Sequence, residues 1–430
     1  MHATSISLTN FRRFEQFDAQ FDRYFTLLMG ANGSGKTSLL KGIHVGLSSL
    51  SQAANVGLIG QGLADTDVRC QLSVDPADES WRTPVFPCRV KLPIWLDGAD
   101  RLFGMERLPQ STEVFLSDND HADSMRSFEV IRTWSPTWFS PTSSEPTPII
   151  ARYGASNARG DGAAGTVQRP FSSKQEIWQR FNQDVVETSW LAQWFQYNEL
   201  RTLQEHKEPL VYRQVRQAVL SAIHAKDVKY VVRDNQLMLL HEGQGWRPFN
   251  QLSDGQRRIA AIFCDLALRC ASLNSQLGET CISDTPGIVT IDELDLHLHP
   301  SWQRSVVGDL RRVFPQIQFI VTSHSPFLLQ AAFEHGQVVD MASGQFVQPG
   351  DTSLEDITEG VMGVDQPQRG VKFLALKRTA AEYIRLLETS ASTPEEIARV
   401  KAELDGHMAH FANDPASAAW LAQQREAAGL

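Results

Sequence analysis

A glycine-rich loop near the N-terminus is the sequence feature that most constrains the fold. Residues 30–37 fit the pattern G-x-x-x-x-G-K-[ST]. A β-prone run at residues 25–29 precedes the loop, and residues 38–43 continue with helical spacing. This order places glycine amides and the positive end of a new helix around one anion. The loop therefore predicts an α/β fold that binds a phosphate group.

A second segment, more than 200 residues further on, completes a nucleotide site. Residues 288–291 are a β-prone, mostly apolar run that Asp292 and Glu293 follow directly. Parallel sheets bind ligands at the carboxyl ends of such buried strands. We expect Asp292 and Thr37 to hold Mg²⁺, and Lys36 to reach the β- and γ-phosphates. Glu293 is then placed to orient or deprotonate the attacking water.

Three more segments follow a fixed order along the chain. Residues 252–256 read L-S-D-G-Q and open a predicted helix over 257–272, for which Ser253 is a natural N-cap. Leu294-Asp295 follows the acidic pair, and a buried strand at 318–323 ends in His324. Each segment is a weak signal alone, but their order makes the set specific.

With these segments the chain resembles a stand-alone ABC-type ATPase of the SMC/RecF-like branch. Residues 8–14 resemble the N-terminal strand and turn that lie beside the nucleotide in that branch, which makes Arg12 a candidate contact. The motifs at 252–256, 291–300 and 322–326 are similar to those of ATPases from bacterial anti-phage modules such as Septu, often found beside a nuclease. The resemblance covers residues 1–50 and about 230–365.

The resemblance implies two chains that sandwich two ATP molecules head to tail. In this class the signature meets the partner's phosphate loop, Leu294-Asp295 corresponds to the D-loop, and the histidine contacts the γ-phosphate. Asp254 departs from the class, because it stands where a glycine is usual. The implied catalytic residues are Lys36, Glu293 and His324. The implied ATP contacts are Gly30, Ala31, Asn32, Gly33, Ser34, Gly35, Lys36, Thr37, Ser38, Arg12, Ser253, Gly255, Gln256 and Asp295.

Two functions remain open from the sequence. The first is a Mg²⁺-dependent ATPase switch that dimerises around ATP and controls a nuclease or other effector of an anti-phage module. The second is a DNA-repair clamp of the RecF kind, which DNA-stimulated ATP turnover would favour. A transporter subunit fits poorly, because the N-terminal strand pattern and the H-L-H-P run are not those of transporter ATPases.

Charge and composition limit which ligands and partners the chain is expected to bind. The net charge of −10 disfavours a broadly basic nucleic-acid surface. Local patches at 257–258 and 311–312 are not excluded, although solvated helix surface is the favoured interpretation of both. The five cysteines lack C-x-x-C spacing, so no zinc site is indicated. His297 and His299 lie two apart without an evident third ligand, so they predict helix-start packing rather than a metal pair. No signal sequence or membrane-length apolar run is found, which predicts a cytoplasmic chain.

The predicted organisation has three parts. Residues 1–50 and 228–348 form the ATPase core, with a hairpin at 228–240. Residues 51–227 are an inserted lobe, irregular or β-rich and then helical from 173. Within it, the Pro-, Ser- and Gly-rich segments 136–148 and 155–165 predict loops. Residues 349–430 form a helical C-terminal region with helices near 371–389, 394–409 and 415–427. Only about 215 residues separate the phosphate loop from the signature, so no long coiled coil is expected.

Overall fold

The computed structural model describes residues 1–56, 62–72, 82–113, 116, 120–140, 142–155, 173–180, 188–243, 245–347, 357–358, 362, 371–388 and 393–409. Contacts between residues divide the chain into two units, Met1–Leu354 and Glu355–Leu430. The candidate site residues all lie in the first unit.

The first unit alternates strands and helices along the chain. Its strands are β1 (His2–Ala3), β2 (Ser5–Phe11), β3 (Phe14–Gln20), β4 (Phe25–Met29), β5 (Cys70–Leu72), β6 (Arg82–Pro84), β7 (Cys88–Leu96), β8 (Ala99–Leu108), β9 (Ser111–Glu113), β10 (Ile149–Tyr153), β11 (Asp227–Val231), β12 (Gln236–His241), β13 (Gly245–Pro248), β14 (Gly287–Ile291), β15 (Ile317–Thr322) and β16 (Gln337–Asp340). Its helices are α1 (Lys36–Ala53), α2 (His121–Phe139), α3 (Lys174–Gln179), α4 (Thr188–Glu205), α5 (Leu210–Ala222), α6 (Asp254–Leu273), α7 (Pro300–Val313) and α8 (Pro326–His335).

A parallel sheet in the order β10-β14-β15-β4-β16 positions the site. Every residue of β4, β14 and β15 is buried, as expected of apolar, β-branched strands covered on both faces. Because these strands are parallel, their carboxyl ends meet at one edge. The phosphate loop, the acidic pair and His324 follow β4, β14 and β15 at that edge, so sequence segments almost 300 residues apart become neighbours.

An antiparallel sheet, β3-β2-β7-β8-β9 with β1 on β7, contacts helix α1. Gly42 and Gly46 lie on the face of α1 that meets this sheet, where an added Cβ would lie 2.8 Å from Leu8 and 2.5 Å from Leu92. The two glycines therefore let the helix that follows the phosphate loop pack closely on β2 and β7. The helix also contacts β15 of the parallel sheet, which confirms the predicted α/β core.

The structure distributes residues 51–227 differently from the predicted inserted lobe. Strands β7 and β8 extend the sheet that β2 begins, and β10 pairs with β14 in the parallel sheet. Helix α2 runs through Pro136 to Phe139, where the sequence predicts a loop from residue 136. The sheet memberships of β7 and β10 depend on long-range strand pairing, which short Pro-containing segments do not reveal locally. The predicted loop at 155–165 lies almost wholly outside the described residues.

Other local predictions are confirmed. The hairpin is formed by β11 and β12, and the helical stretch from 173 contains α3, α4 and α5. In the second unit, α9 (Val371–Glu388) and α10 (Pro394–Ala409) match two predicted helices and pack on each other. The third predicted helix, 415–427, lies outside the described residues. Within the described part of the chain, no helix combines the length and apolar character needed to cross a membrane.

Candidate functional site

The phosphate loop has the conformation of an anion cradle. Gly30, Gly33 and Gly35 all have positive φ, at 159°, 76° and 102°. An added Cβ on Gly35 would lie 2.5 Å from the ring of Phe14, so the turn between β2 and β3 rests on the loop. Among the described residues, no side chain caps the N-terminus of α1. Its first amides are therefore free to donate to an anion.

The side chain of Lys36 lies against the phosphate loop. Its Nζ donates hydrogen bonds to the carbonyls of Gly30 at 2.6 Å and Ala31 at 3.2 Å. Burial lowers the pKa of the Lys36 ammonium below that of an ordinary lysine, while the nearby Asp292 carboxylate opposes this shift. The ammonium can exchange these carbonyls for phosphate oxygens without leaving its place.

Asp292 connects the two halves of the predicted metal site. Its Oδ2 accepts a hydrogen bond from Thr37 Oγ1 at 3.1 Å, and its Oδ1 accepts one from Thr322 Oγ1 at 2.6 Å. A hydroxyl and a carboxylate are ligand types that Mg²⁺ prefers, and neighbouring ligands of an octahedral Mg²⁺ lie about 3 Å apart. The spacing of Thr37 and Asp292 therefore suits a Mg²⁺ whose remaining ligands are phosphate oxygens and water.

Glu293 has an unusual backbone that is held from two sides. Its φ is +50°, a left-handed conformation that is uncommon for a residue with a side chain. Its N–H donates to Thr322 Oγ1 at 2.8 Å. Its carbonyl oxygen accepts a hydrogen bond from the guanidinium of Arg258 at 2.7 Å. The same guanidinium also donates to the carbonyl oxygens of Asp292 and Gly154. These contacts fix the direction in which the Glu293 side chain leaves the turn.

A cavity of about 410 Å³ brings most of the predicted residues together. Arg12, by contrast, pairs with Asp67 at 2.8 Å and does not line this cleft, whereas the neighbouring Arg13 does. The residues that line the cleft are Arg13, Asn32, Gly33, Ser34, Gly35, Lys36, Thr37, Ser38, Asp292, Glu293, Thr322 and His324.

The signature lies outside this cleft, at the exposed start of α6. Ser253 caps the helix by accepting from the Gln256 amide at 3.3 Å, and Gln256 Oε1 accepts from the Ser253 amide at 3.1 Å. The carboxylate of Asp254 pairs with Arg257 one turn further on. None of the described residues that line the cleft comes from this segment.

Gly255 has a packing role within its own chain. It is buried, and an added Cβ would lie 2.2 Å from the carbonyl oxygen of His297. The absence of a side chain therefore lets the first turn of α6 approach the backbone that follows Asp295. The ATP contact that the resemblance implies for Gly255 stays a prediction.

The carboxylate of Asp295, in the predicted D-loop, has an oxygen atom without a hydrogen-bond partner among the described residues. This oxygen, Oδ1, is buried. Such a carboxylate oxygen is costly to leave unpaired. His299 caps α7, since its Nδ1 accepts from the Ser301 amide at 3.3 Å. This geometry agrees with the helix-start role that the sequence predicts for the H-L-H-P segment.

The two arginine pairs are engaged within the chain rather than forming basic patches. Arg258 is 5% exposed and bound to the acidic turn, which corrects the prediction of a solvated helix surface. Arg311 donates to the Pro315 carbonyl and lies 4.3 Å from the ring centre of Tyr24, and Arg312 pairs with Asp309 at 2.6 Å.

Sequence reasoning missed three residues of the site: Arg13, Arg258 and Thr322. Arg13 is adjacent to the predicted Arg12 and differs from it only in which way the turn directs the side chain. Thr322 opens the motif at 322–326 and Arg258 follows the signature by two residues, so their positions gave a signal, but their hydrogen bonds depend on strands and helices that are distant in sequence.

Comparisons with known proteins agree with this geometry. Residues 5–213 match a family described as an AAA domain, and residues 167–330 match an AAA domain family whose description also names the AbiEii toxin and a type IV TA system. The chain is 50% identical over 76 residues to "Retron Ec83 probable ATPase" of Escherichia coli, which is 18% of this chain and 14% of that protein. It is 31% identical over 129 residues to "Septu protein PtuA" of Bacillus thuringiensis, which is 27% of this chain and 33% of that protein.

A solved SMC head bound to the C-winged helix domain of ScpA aligns with a TM-score of 0.46 and 14% identity, over 82% of this chain and 99% of that one. The matches to the two relatives span a third or less of their own length. Two segments of the chain thus match AAA domain families, and the resemblance to ATPases of anti-phage modules that was stated from its sequence is confirmed: the chain is similar to a probable retron ATPase and to Septu protein PtuA.

Proposed function

We propose that this chain is an ATP-hydrolysing switch of an anti-phage module, in which two copies close head to tail around two ATP molecules. One observation carries the proposal: the cleft gathers the phosphate-binding, metal-binding and base residues, while the capped start of the signature helix is exposed elsewhere on the same chain. Two such chains supply each other with the part that each cleft lacks.

The residues of the cleft divide the work of hydrolysis. Lys36 and the free amides at the start of α1 bind the β- and γ-phosphates, with the guanidinium of Arg13 beside the loop. Thr37 and Asp292 would hold Mg²⁺, which supplies charge neutralisation on the phosphates. Glu293 orients the attacking water and accepts its proton, and His324 contacts the γ-phosphate from the end of β15.

The partner's signature completes this site. Ser253 and the amides of the first turn of α6 face the γ-phosphate bound by the opposite chain. ATP thereby adds contacts that hold the two surfaces together, and hydrolysis removes them. The similarity to "Septu protein PtuA" and "Retron Ec83 probable ATPase" supports a defence role, in which the closed and open states control an effector such as a nuclease.

The test is the mass of a Glu293→Gln variant with and without Mg-ATP, measured by light scattering. We expect a dimer with ATP and a smaller mass without it, because removing the base keeps the nucleotide intact. The matched control is Glu293→Gln combined with Lys36→Ala, which should keep one mass throughout. An unchanged mass in Glu293→Gln samples shown by calorimetry to contain bound ATP would overturn the head-to-tail proposal.

The wider biology needs a separate test. Affinity capture from the native host followed by mass spectrometry should recover a nuclease or other effector in the defence role. DNA-stimulated turnover by the isolated chain, with no captured effector, would favour the repair-clamp alternative instead.

A further inference from the structure

We propose that Thr322 is the positioning residue that sets the geometry of both acids of the site, Asp292 and Glu293. The proposal rests on the nucleotide site described above, and it assigns Thr322 a role beyond the packing expected of a strand residue. Thr322 is the last residue of β15 and is 0% exposed.

The hydroxyl of Thr322 makes two hydrogen bonds whose directions are fixed by chemistry. The N–H of Glu293 can only donate, so Thr322 Oγ1 must accept from it, at 2.8 Å. The single hydroxyl hydrogen is then directed to Asp292 Oδ1, at 2.6 Å. The main-chain carbonyl of Thr322 also accepts from the Leu294 amide at 3.0 Å. One residue of β15 therefore binds three consecutive residues of the acidic turn.

The bond to Asp292 selects which carboxylate oxygen serves the metal. With Oδ1 bound to Thr322, the other oxygen, Oδ2, is the one beside Thr37 Oγ1, at 3.1 Å. Without the hydroxyl, Asp292 could rotate and present either oxygen or neither. Hydrogen bonds that orient a metal ligand commonly change metal affinity or activity by about 10- to 100-fold when they are removed.

The bond to Glu293 stabilises a backbone conformation that the residue would otherwise avoid. A left-handed φ of +50° is unfavourable for a residue with a side chain, because its Cβ comes too close to the following carbonyl oxygen. The turn keeps this conformation because Thr322 binds its amide on one side and Arg258 binds its carbonyl on the other. Loss of the Thr322 hydroxyl would remove the amide contact and loosen the direction of the Glu293 side chain.

A purely structural role for Thr322 makes different predictions. If the side chain only filled space in β15, valine would replace it well, because valine has nearly the same shape and a high preference for buried strands. Serine would then be the worse substitute, since it leaves a methyl-sized gap. If the hydroxyl positions the two acids, serine should be the better substitute and valine the worse one.

The experiment compares Thr322→Val, Thr322→Ser and Thr322→Ala with a matched control, Thr26→Val. Thr26 is also fully buried in the parallel sheet, and its hydroxyl accepts from the Asp22 amide at 2.9 Å, outside the cleft. Two quantities are measured on the full chain: the Mg²⁺ concentration that half-saturates ATP binding, and kcat with KM for ATP. Thermal unfolding shows which variants are folded.

We expect Thr322→Val and Thr322→Ala to raise the half-saturating Mg²⁺ concentration roughly tenfold and to lower kcat about 10- to 100-fold. ATP affinity without Mg²⁺ should stay within about twofold of the unmodified chain, and Thr322→Ser should restore both quantities to within about threefold. Thr26→Val should change only the unfolding temperature. If valine keeps normal Mg²⁺ dependence and kcat, or if serine performs as poorly as valine, the proposal is overturned.

The Mg²⁺ titration separates this proposal from the proposed function. It reports on nucleotide binding and needs neither turnover nor a dimer. If the unmodified chain binds Mg-ATP without hydrolysing it, the ATPase proposal fails, whereas the Mg²⁺ dependence of Thr322→Val still decides the role of Thr322.

Discussion

The cleft at the phosphate loop and the exposed start of α6 differ in how completely one chain assembles them. In the cleft, the groups that would act on ATP come from the ends of three parallel strands and contact each other directly. At the start of α6, Ser253 caps the helix, and this segment lies outside the cleft of its own chain. Under the proposed head-to-tail arrangement, one chain would bind the nucleotide and a second chain would close over it.

The two regions are nevertheless in mechanical contact. Gly255 packs on the His297 carbonyl, and Arg258 of the same helix binds the carbonyls of Asp292 and Glu293. A displacement of α6 by a partner would therefore be transmitted to the acidic turn. The following predictions test how far the two regions are separate and how far they are joined.

The largest effect is expected on ATP turnover when two variants are mixed, one with a defective cleft and one with a defective signature. Lys36→Ala should weaken ATP binding by roughly a hundredfold or more, since it removes a charged hydrogen-bond donor to phosphate. Ser253→Arg should leave ATP binding intact but block closure. Each variant alone should be inactive, whereas an equimolar mixture should regain ATP turnover, because one site of the mixed dimer is complete.

Turnover is measured for each variant and for the mixture at equal total protein concentration. The control is a chain carrying both substitutions, which should not rescue either single variant. A mixture no more active than its components, although both remain folded, would show that the two regions do not come together across chains.

Gly255→Ala tests the contact that joins the two regions. An added Cβ would lie 2.2 Å from the His297 carbonyl oxygen, so α6 and the D-loop must move apart. We expect the free energy of unfolding to fall by about 1–3 kcal/mol, as for other overpacked sites. Denaturant unfolding measures it. Gly62→Ala is the matched control, because its Cβ meets only Thr112 at an ordinary 3.5 Å; equal midpoints for the two variants would contradict the close contact.

The pH dependence of ATP binding tests the cleft alone. Burial lowers the pKa of Lys36, so the free chain loses this positive charge at a lower pH than an ordinary lysine would. Phosphate binds the charged form, and ATP affinity should therefore fall as pH rises, with proton uptake on binding. Calorimetry between about pH 7 and pH 10 measures both quantities. Lys36→Arg should remove this dependence, and a flat affinity for the unmodified chain would count against the buried ammonium.

Arg257→Ala tests the departure at Asp254 and should have the smallest effect. The pair with Arg257 neutralises the carboxylate that stands where related signatures have glycine. Freed of this partner, the carboxylate would repel the opposing triphosphate, and we expect ATP-dependent dimer affinity to fall about two- to fivefold, the scale of an exposed ion pair. Analytical ultracentrifugation measures it. Adding Asp254→Gly should restore the affinity; a dimer still weakened in that double variant would show that Arg257 acts in another way.

Much of the site could be predicted because its motifs are local. The glycines at 30, 33 and 35 have positive φ within their own loop, and the capping box of Ser253 and Gln256 closes within four residues. Apolar β-branched runs likewise predict buried strands wherever they pair. The sheet membership of β7 and β10 could not be predicted in this way, because β7 pairs with β2 and β10 pairs with β14, both far away in sequence.

The sequence by itself determined the phosphate loop, the acidic strand, the signature cap and their order, because each depends on the conformational preferences of neighbouring residues. Only the tertiary structure decided that Arg13 rather than Arg12 faces the cleft, and that Thr322 and Arg258 hold the acidic turn. Hydrogen bonds of this kind join residues 29 or more positions apart, and the packing of whole strands and helices brings them within reach.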